Sequence, residues 1–179
     1  MESFLVFLAL VVASATLYIQ RQHNRKQLFP ILHLYYFEHI TDDFVERSIS
    51  LSNDGQGAGN LQSFLWTIGD EEYEVKHHRD VYRILGKYLP EASDKEAALY
   101  FCVRPNSDNT LVSYKVPKTT DDLLKKSKIS IKAQSLYGDI VIVNNHGYTT
   151  ISNPRDALFE KPVNLLFDLL GKWISTERN

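Results

Sequence analysis

SISLSNDGQGAGNLQSFLWTI, Ser48–Ile68, is the stretch whose reading decides the fold. Two apolar-patterned runs flank one polar, glycine-rich segment, Asn53–Asn60. Across Phe44–Ser52 the side chains alternate: Val45, Arg47, Ile49 and Leu51 fall on one face, Glu46, Ser48, Ser50 and Ser52 on the other. That is the period of a strand. Arg47 is the polar exception on the apolar face and is expected near the strand start. Leu61–Ile68 resumes the pattern, so the stretch reads as strand, turn, strand at the heart of a small sandwich.

The glycines admit a second reading. Gly55, Gly57 and Gly59 could turn backbone amides towards an anion, and Leu61, Phe64, Leu65 and Ile68 also fit a helical face. The details favour the turn. The spacing is G-x-G-x-G, no Lys-Ser/Thr pair follows, and no strand–helix repeat succeeds it. A tight turn needs the same residues, because only glycine takes positive φ cheaply. A ligand turn at Gly55, Gly57 and Gly59 remains the alternative, and a helix behind Gly59 opening onto a cleft would favour it.

Towards the amino terminus, Phe4–Ile19 carries no charge. Sixteen residues at about 1.5 Å each give about 24 Å, near the lower limit for a bilayer span. Arg21, Arg25 and Lys26 follow it, as cations follow a span on its cytoplasmic side. Ala13-Ser14-Ala15 offers the competing reading of a cleaved signal, which would leave the rest periplasmic or secreted. The preferred expectation is a retained single-pass anchor in the cell membrane, with the main domain cytoplasmic.

Towards the carboxyl terminus, strands are expected at Leu28–His39, Tyr73–Lys76, Ala97–Arg104, Leu111–Val116, Ile129–Ser135 and Ile140–Asn144. His77–Leu89 is ambiguous: Val81, Ile84, Leu85 and Tyr88 keep helical spacing, but Gly86 weakens it. Pro90–Glu96 and Asn145–Pro154 read as loops, and Thr119–Lys128 as a short helical turn. Val163, Leu166, Phe167, Leu170 and Ile174 form a helical stripe behind Pro162, widened by Leu165, Leu169 and Trp173.

Composition sets bounds. The chain has 179 residues, 44% apolar and 12% aromatic, which suits one cored domain plus an appendage and excludes wholesale disorder. A net charge of −2 gives no electrostatic case for nucleic acid. The lysines Lys125, Lys126 and Lys128 are offset by Asp121 and Asp122. Cys102, the one cysteine, sits between Phe101 and Val103 and is expected to be buried and inert. His23, His33, His39, His77, His78 and His146 show no metal-ligand spacing. The acidic residues Asp70–Glu72 and Glu74 read as a solvated turn. No nucleophile–base arrangement stands out, so neither catalysis nor a cofactor or metal is expected.

Asn53-Asp54-Gly55-Gln56-Gly57-Ala58-Gly59-Asn60 and the later Ser135-Leu136-Tyr137-Gly138-Asp139 resemble the two turns of a loose group of prokaryotic membrane-anchored proteins. That group's first turn is of the type Asn-x-Gly-x-Gly-Pro-Ala-x-Asn. Here Ala58 replaces the usual Pro and Gly59 the usual Ala. The resemblance, over Leu28–Val143, implies one span followed by an immunoglobulin-like β-sandwich, in domains found beside prokaryotic immunity genes.

The resulting expectation is a mainly β protein. Its parts are an anchor over 3–20, a basic juxtamembrane linker over 21–27, a β-sandwich over 28–150, and a loop with an amphipathic helix over 151–179. The expected role is a non-enzymatic, membrane-tethered binding or accessory protein that takes a protein or peptide partner at an exposed edge strand. The alternatives are a nucleotide or anion sensor at Gly55–Gly59, and an assembly component oligomerising through its anchor and last helix. The partner's identity and the oligomeric state stay open.

Overall fold

The computed structural model describes residues 2–119, 127–145 and 147–151. The chain divides into two units, with Gln27–Ile151 as the β domain.

In the other unit, α1 spans Glu2–Gln27. Its stretch Leu5–Gln27, with mean hydropathy 1.5, is long and apolar enough to cross a bilayer. Two hydroxyls inside it return to their own helix: Ser14 Oγ donates to Leu10 O and Thr16 Oγ1 to Val12 O, each at 2.8 Å. Such bonds satisfy two hydroxyls that would otherwise lack a partner in hydrocarbon. Residues 21–27, expected as a linker, are the last turns of this helix. Gln, Arg and Lys are good helix formers, and Arg25 and Lys26 complement the negative end of the helix dipole. Pro30 then forces the chain out of helix.

The β domain is mainly β, with two antiparallel sheets around one core. In chain order its elements are β1 (Leu32–Ile40), β2 (Phe44–Asn53), β3 (Gly59–Ile68), β4 (Glu71–Glu74), α2 (His78–Tyr88), β5 (Ser93–Ala97), β6 (Cys102–Val103), β7 (Ser107–Pro117), β8 (Lys128–Gln134), β9 (Ile140–Asn144) and β10 (Gly147–Ile151). One sheet runs β1-β2-β7-β5 and the other β10-β9-β8-β3-β4, with β6 beside the start of β3. The deciding stretch is strand, turn, strand, but its strands lie in different sheets. The glycine turn is therefore an arch from one sheet to the other.

The alternation read from β2 holds for Val45, Ile49 and Leu51, all buried. Arg47 stays on that face near the strand start, and its guanidinium reaches the cross-strand Glu38, Nη2 to Oε1 at 2.8 Å. A bulge at Ile49/Ser50 sets Leu111 and Val112 of β7 both into the core. Trp66 and Phe64 stack inside β3, and Ile129, Ile131, Val141 and Val143 meet them from β8 and β9.

Several expectations are corrected. His77–Leu89 resolves as α2, because Val81, Ile84 and Leu85 bury one stripe and Asp80 Oδ2 accepts the amides of His77 and Lys76, both at 3.0 Å. Pro90–Glu96 is not all loop, since β5 begins at Ser93. Ala97–Arg104 is not one buried strand: Ala97 closes β5 opposite Val112, Cys102–Val103 form the separate β6, and Cys102 faces outwards. With only two residues in β6, alternation buries Val103 and exposes its neighbour. β10 occupies part of the expected loop Asn145–Pro154. The stripe Val163–Ile174 and residues 120–126 of the expected helical turn lie outside the described residues.

Candidate functional site

Asn53 organises the glycine turn. It is fully buried at the end of β2, and its amide is used on both sides. Its Oδ1 accepts from Ile31 N and Gly55 N, each at 3.1 Å. Its Nδ2 donates to Gly57 O at 2.8 Å and to Val103 O at 3.2 Å. Asp54 N donates to Ile31 O at 2.9 Å. One side chain thus joins the entry to β1, the arch and β6.

The strap Leu28–Ile31 crosses directly over the glycines. A Cβ on Gly55 would meet Phe29 O and lie 2.5 Å from Ile31 N, and one on Gly57 would meet Leu28 O. Neither residue has positive φ; Gly69, Gly138 and Gly147 do. The physical reason for glycine at 55 and 57 is therefore close backbone approach, not a left-handed turn. Gly59 already belongs to β3 and makes ordinary contacts with Leu32 and Pro30. The glycines are buried, the strap fills the space beside Gly55 and Gly57, and a strand follows rather than a helix.

β1 forms one edge of its sheet. Among the described residues it pairs only with β2, leaving its other edge unpaired. Leu32 is fully buried, but Tyr35, Tyr36, Phe37 and Ile40 are 42–59% exposed. His33, Tyr35 and Phe37 form a row, with centroids 6.2 and 6.3 Å apart. Tyr148 of β10 meets His33 edge-on at 6.0 Å, so both sheets contribute to this surface. Tyr36 donates its hydroxyl to Asn145 Oδ1 at 2.8 Å, and burial of that end pushes its pKa up to about 12. A cavity of about 120 Å³ lies behind, lined by Tyr36, Glu38, Arg47 and Tyr114 among others.

A second cluster, missed in the sequence, ties α2 to β4. Lys87 Nζ donates to Glu71 Oε2 at 2.6 Å and to Tyr73 OH at 2.8 Å. Tyr73 also donates to Glu71 and lies 2.9 Å from Tyr88 OH. The Lys87 hydrogen bond, with that of Tyr73, holds the Glu71 carboxyl down at about 2, while Glu71 and Tyr73 push Lys87 up. The hydrogen bond that Tyr88 donates to Tyr73 leads the causes that raise Tyr88 to about 12. The acidic run is thus not purely a solvated turn. Tyr88 keeps helical spacing in the sequence, but nothing local there joins it or Lys87 to residue 71.

The histidines stay dispersed. His33 and His39 sit on β1, His77 and His78 begin α2, and His146 lies outside the described residues. Among the described residues no three His, Cys, Asp or Glu side chains gather as a metal site would need. Arg21, Arg25 and Lys26 lie on the last turns of α1.

No family model and no curated protein matches the chain. Among solved structures it is similar to the archaellum periplasmic stator protein FlaG from Sulfolobus acidocaldarius, at 11% identity and a TM-score of 0.30, covering 69% of this chain and 100% of that one. A likeness at that level carries no weight for function.

Proposed function

We propose that this chain is a membrane-anchored binding protein without catalytic activity, whose β domain takes a protein or peptide partner along the unpaired edge of β1. The observation that carries the reading is β1 itself: nine residues long, open on one side among the described residues, and uncharged from Leu34 to Phe37. Long apolar edges invite strand addition unless charge, proline or a bulge protects them. The partner's backbone would pair with β1, and Tyr35 and Phe37 would receive its side chains.

The strand order also supports an immunoglobulin-like sandwich. β1-β2-β7-β5 corresponds to A-B-E-D of that fold, and β4-β3-β8-β9 to C′-C-F-G, with the buried Trp66 on the C-strand equivalent. Arg21, Arg25 and Lys26 favour a cytoplasmic domain by the positive-inside tendency. The resemblance of its turns supports a prokaryotic accessory setting, including immunity loci.

Photo-crosslinking in the native cell tests the partner reading. A photoreactive phenylalanine at Phe37 is expected to trap one discrete species, and the same group at Tyr82 on α2 is not. Equal yields at both positions, or none at Phe37, would refute it. A band at the mass of a second copy would transfer the edge to self-assembly.

A further inference from the structure

The β domain has two chemically different ends. One gathers the strap Leu28–Ile31, the glycine arch, the loop leading into β6 and the β8–β9 turn. The register fixes this: Leu32 pairs with Asn53, Asn60 with both Cys102 and Gln134, and Leu61 N binds Phe101 O. The loop and turn there present Phe101, 91% exposed, and Leu136, 64% exposed. Leu28 and Ile31 are exposed at the same end, together with the nearly balanced charges of Asp54, Arg104 and Asp108. The opposite end carries Asp42, Asp43, Asp70, Glu71, Glu72 and Lys118, all exposed.

The chain enters the domain at the apolar end. From Ile19 to Gln27 an α-helix rises about 12 Å, which carries it through the headgroup layer and little further. From Gln27 to the pinned Ile31 the chain can reach about 14 Å at most. A tether that short keeps the strap end within reach of the lipid. Aromatic and apolar loop tips gain free energy at that depth, whereas a charged end does not.

We propose that the end of the β domain bearing Phe101 and Leu136 docks on the bilayer surface, with these two side chains seated at headgroup level. The inference rests on the anchored reading of α1. It predicts that the charged end points away from the membrane and that the domain does not tumble freely on its tether.

Cys102 is the chain's one cysteine, exposed and adjacent to Phe101, and so serves as the probe site. The full chain is reconstituted in phosphatidylcholine vesicles and spin-labelled there. The reference label is D43C in a C102S chain, at the far end. The ratio of oxygen to nickel-chelate accessibility is expected to be roughly threefold or more higher at 102 than at 43. Leu136→Ser is expected to lower the ratio at 102 towards the reference, and its side chain is exposed enough to leave the core intact. Equal ratios at both sites in carbonate-resistant protein would overturn the docking and spare the anchor. Protein stripped from the vesicles by carbonate would overturn both.

Discussion

At the scale of the residue, Asn53 and the glycines beside it show how an arch between sheets is specified. Asn53→Ala removes four hydrogen bonds from a fully buried position and leaves Ile31 N, Gly55 N, Gly57 O and Val103 O short of a partner. A loss of about 3 kcal/mol is expected, since each stranded buried group costs on the order of 1 kcal/mol or more. Two glycine substitutions should move in opposite directions. Gly57→Ala drives a methyl into the Leu28 carbonyl and should destabilise by about 2 kcal/mol or more. Gly86→Ala meets nothing within 4 Å inside α2 and should stabilise by about 0.5–1 kcal/mol. Denaturant midpoints of the detergent-solubilised variants measure all three, and a stabilising Gly57→Ala would sink the close-approach argument.

At the scale of the element, α2 is held from two sides. Its apolar stripe enters the core, and Lys87 and Tyr88 grip β4 through Glu71 and Tyr73. Because the folded carboxyl of Glu71 titrates near 2, below its unfolded value of about 4.3, its stabilising effect is complete above that unfolded value. It fades as pH falls from there to about 2. A carboxyl resonance of Glu71 with a midpoint near 2 is expected, returning upwards in Lys87→Met. A midpoint near 4.3 in the parent chain would dissolve the cluster as a structural tie. The sequence left His77–Leu89 ambiguous, its helical spacing set against Gly86. β2, β3, β8 and β9 were more legible, because alternation is a local property. What alternation could not show was partnership: that β2 and β3 part into separate sheets, that Glu71 meets Lys87, or that the two-residue β6 turns Cys102 outwards. β5 was hidden because Ser93, Asp94, Lys95 and Glu96 look like a loop until β7 supplies a neighbour.

At the scale of the whole molecule, the question is where the β domain begins. Among the described residues the buried hydrophobic cluster runs from Leu32 to Val143, which places the boundary at the first strand. The hydrogen bonds place it earlier. Ile31 N and O are bound to Asn53 and Asp54, and the backbone of Leu28 and Phe29 covers Gly57 and Gly55. On that basis the strap is structural and α1 is not. A chain starting at Gln27 is expected to fold with a thermal midpoint within about 3 °C of the full protein and to lose carbonate-resistant membrane association, because it discards only helix. A chain starting at Leu32 keeps the fully buried hydrophobic cluster and gives up Phe29 and Pro30, uncovers both glycines, and takes from Asn53 Oδ1 one of its two donors and from Asp54 N its acceptor. Its midpoint is expected to fall by about 10 °C or more, as several buried polar groups lose their partners together. Circular dichroism melts of the two truncations decide the point. Equal midpoints would mean that apolar burial alone defines the domain, and that the four residues between helix and strand merely connect them.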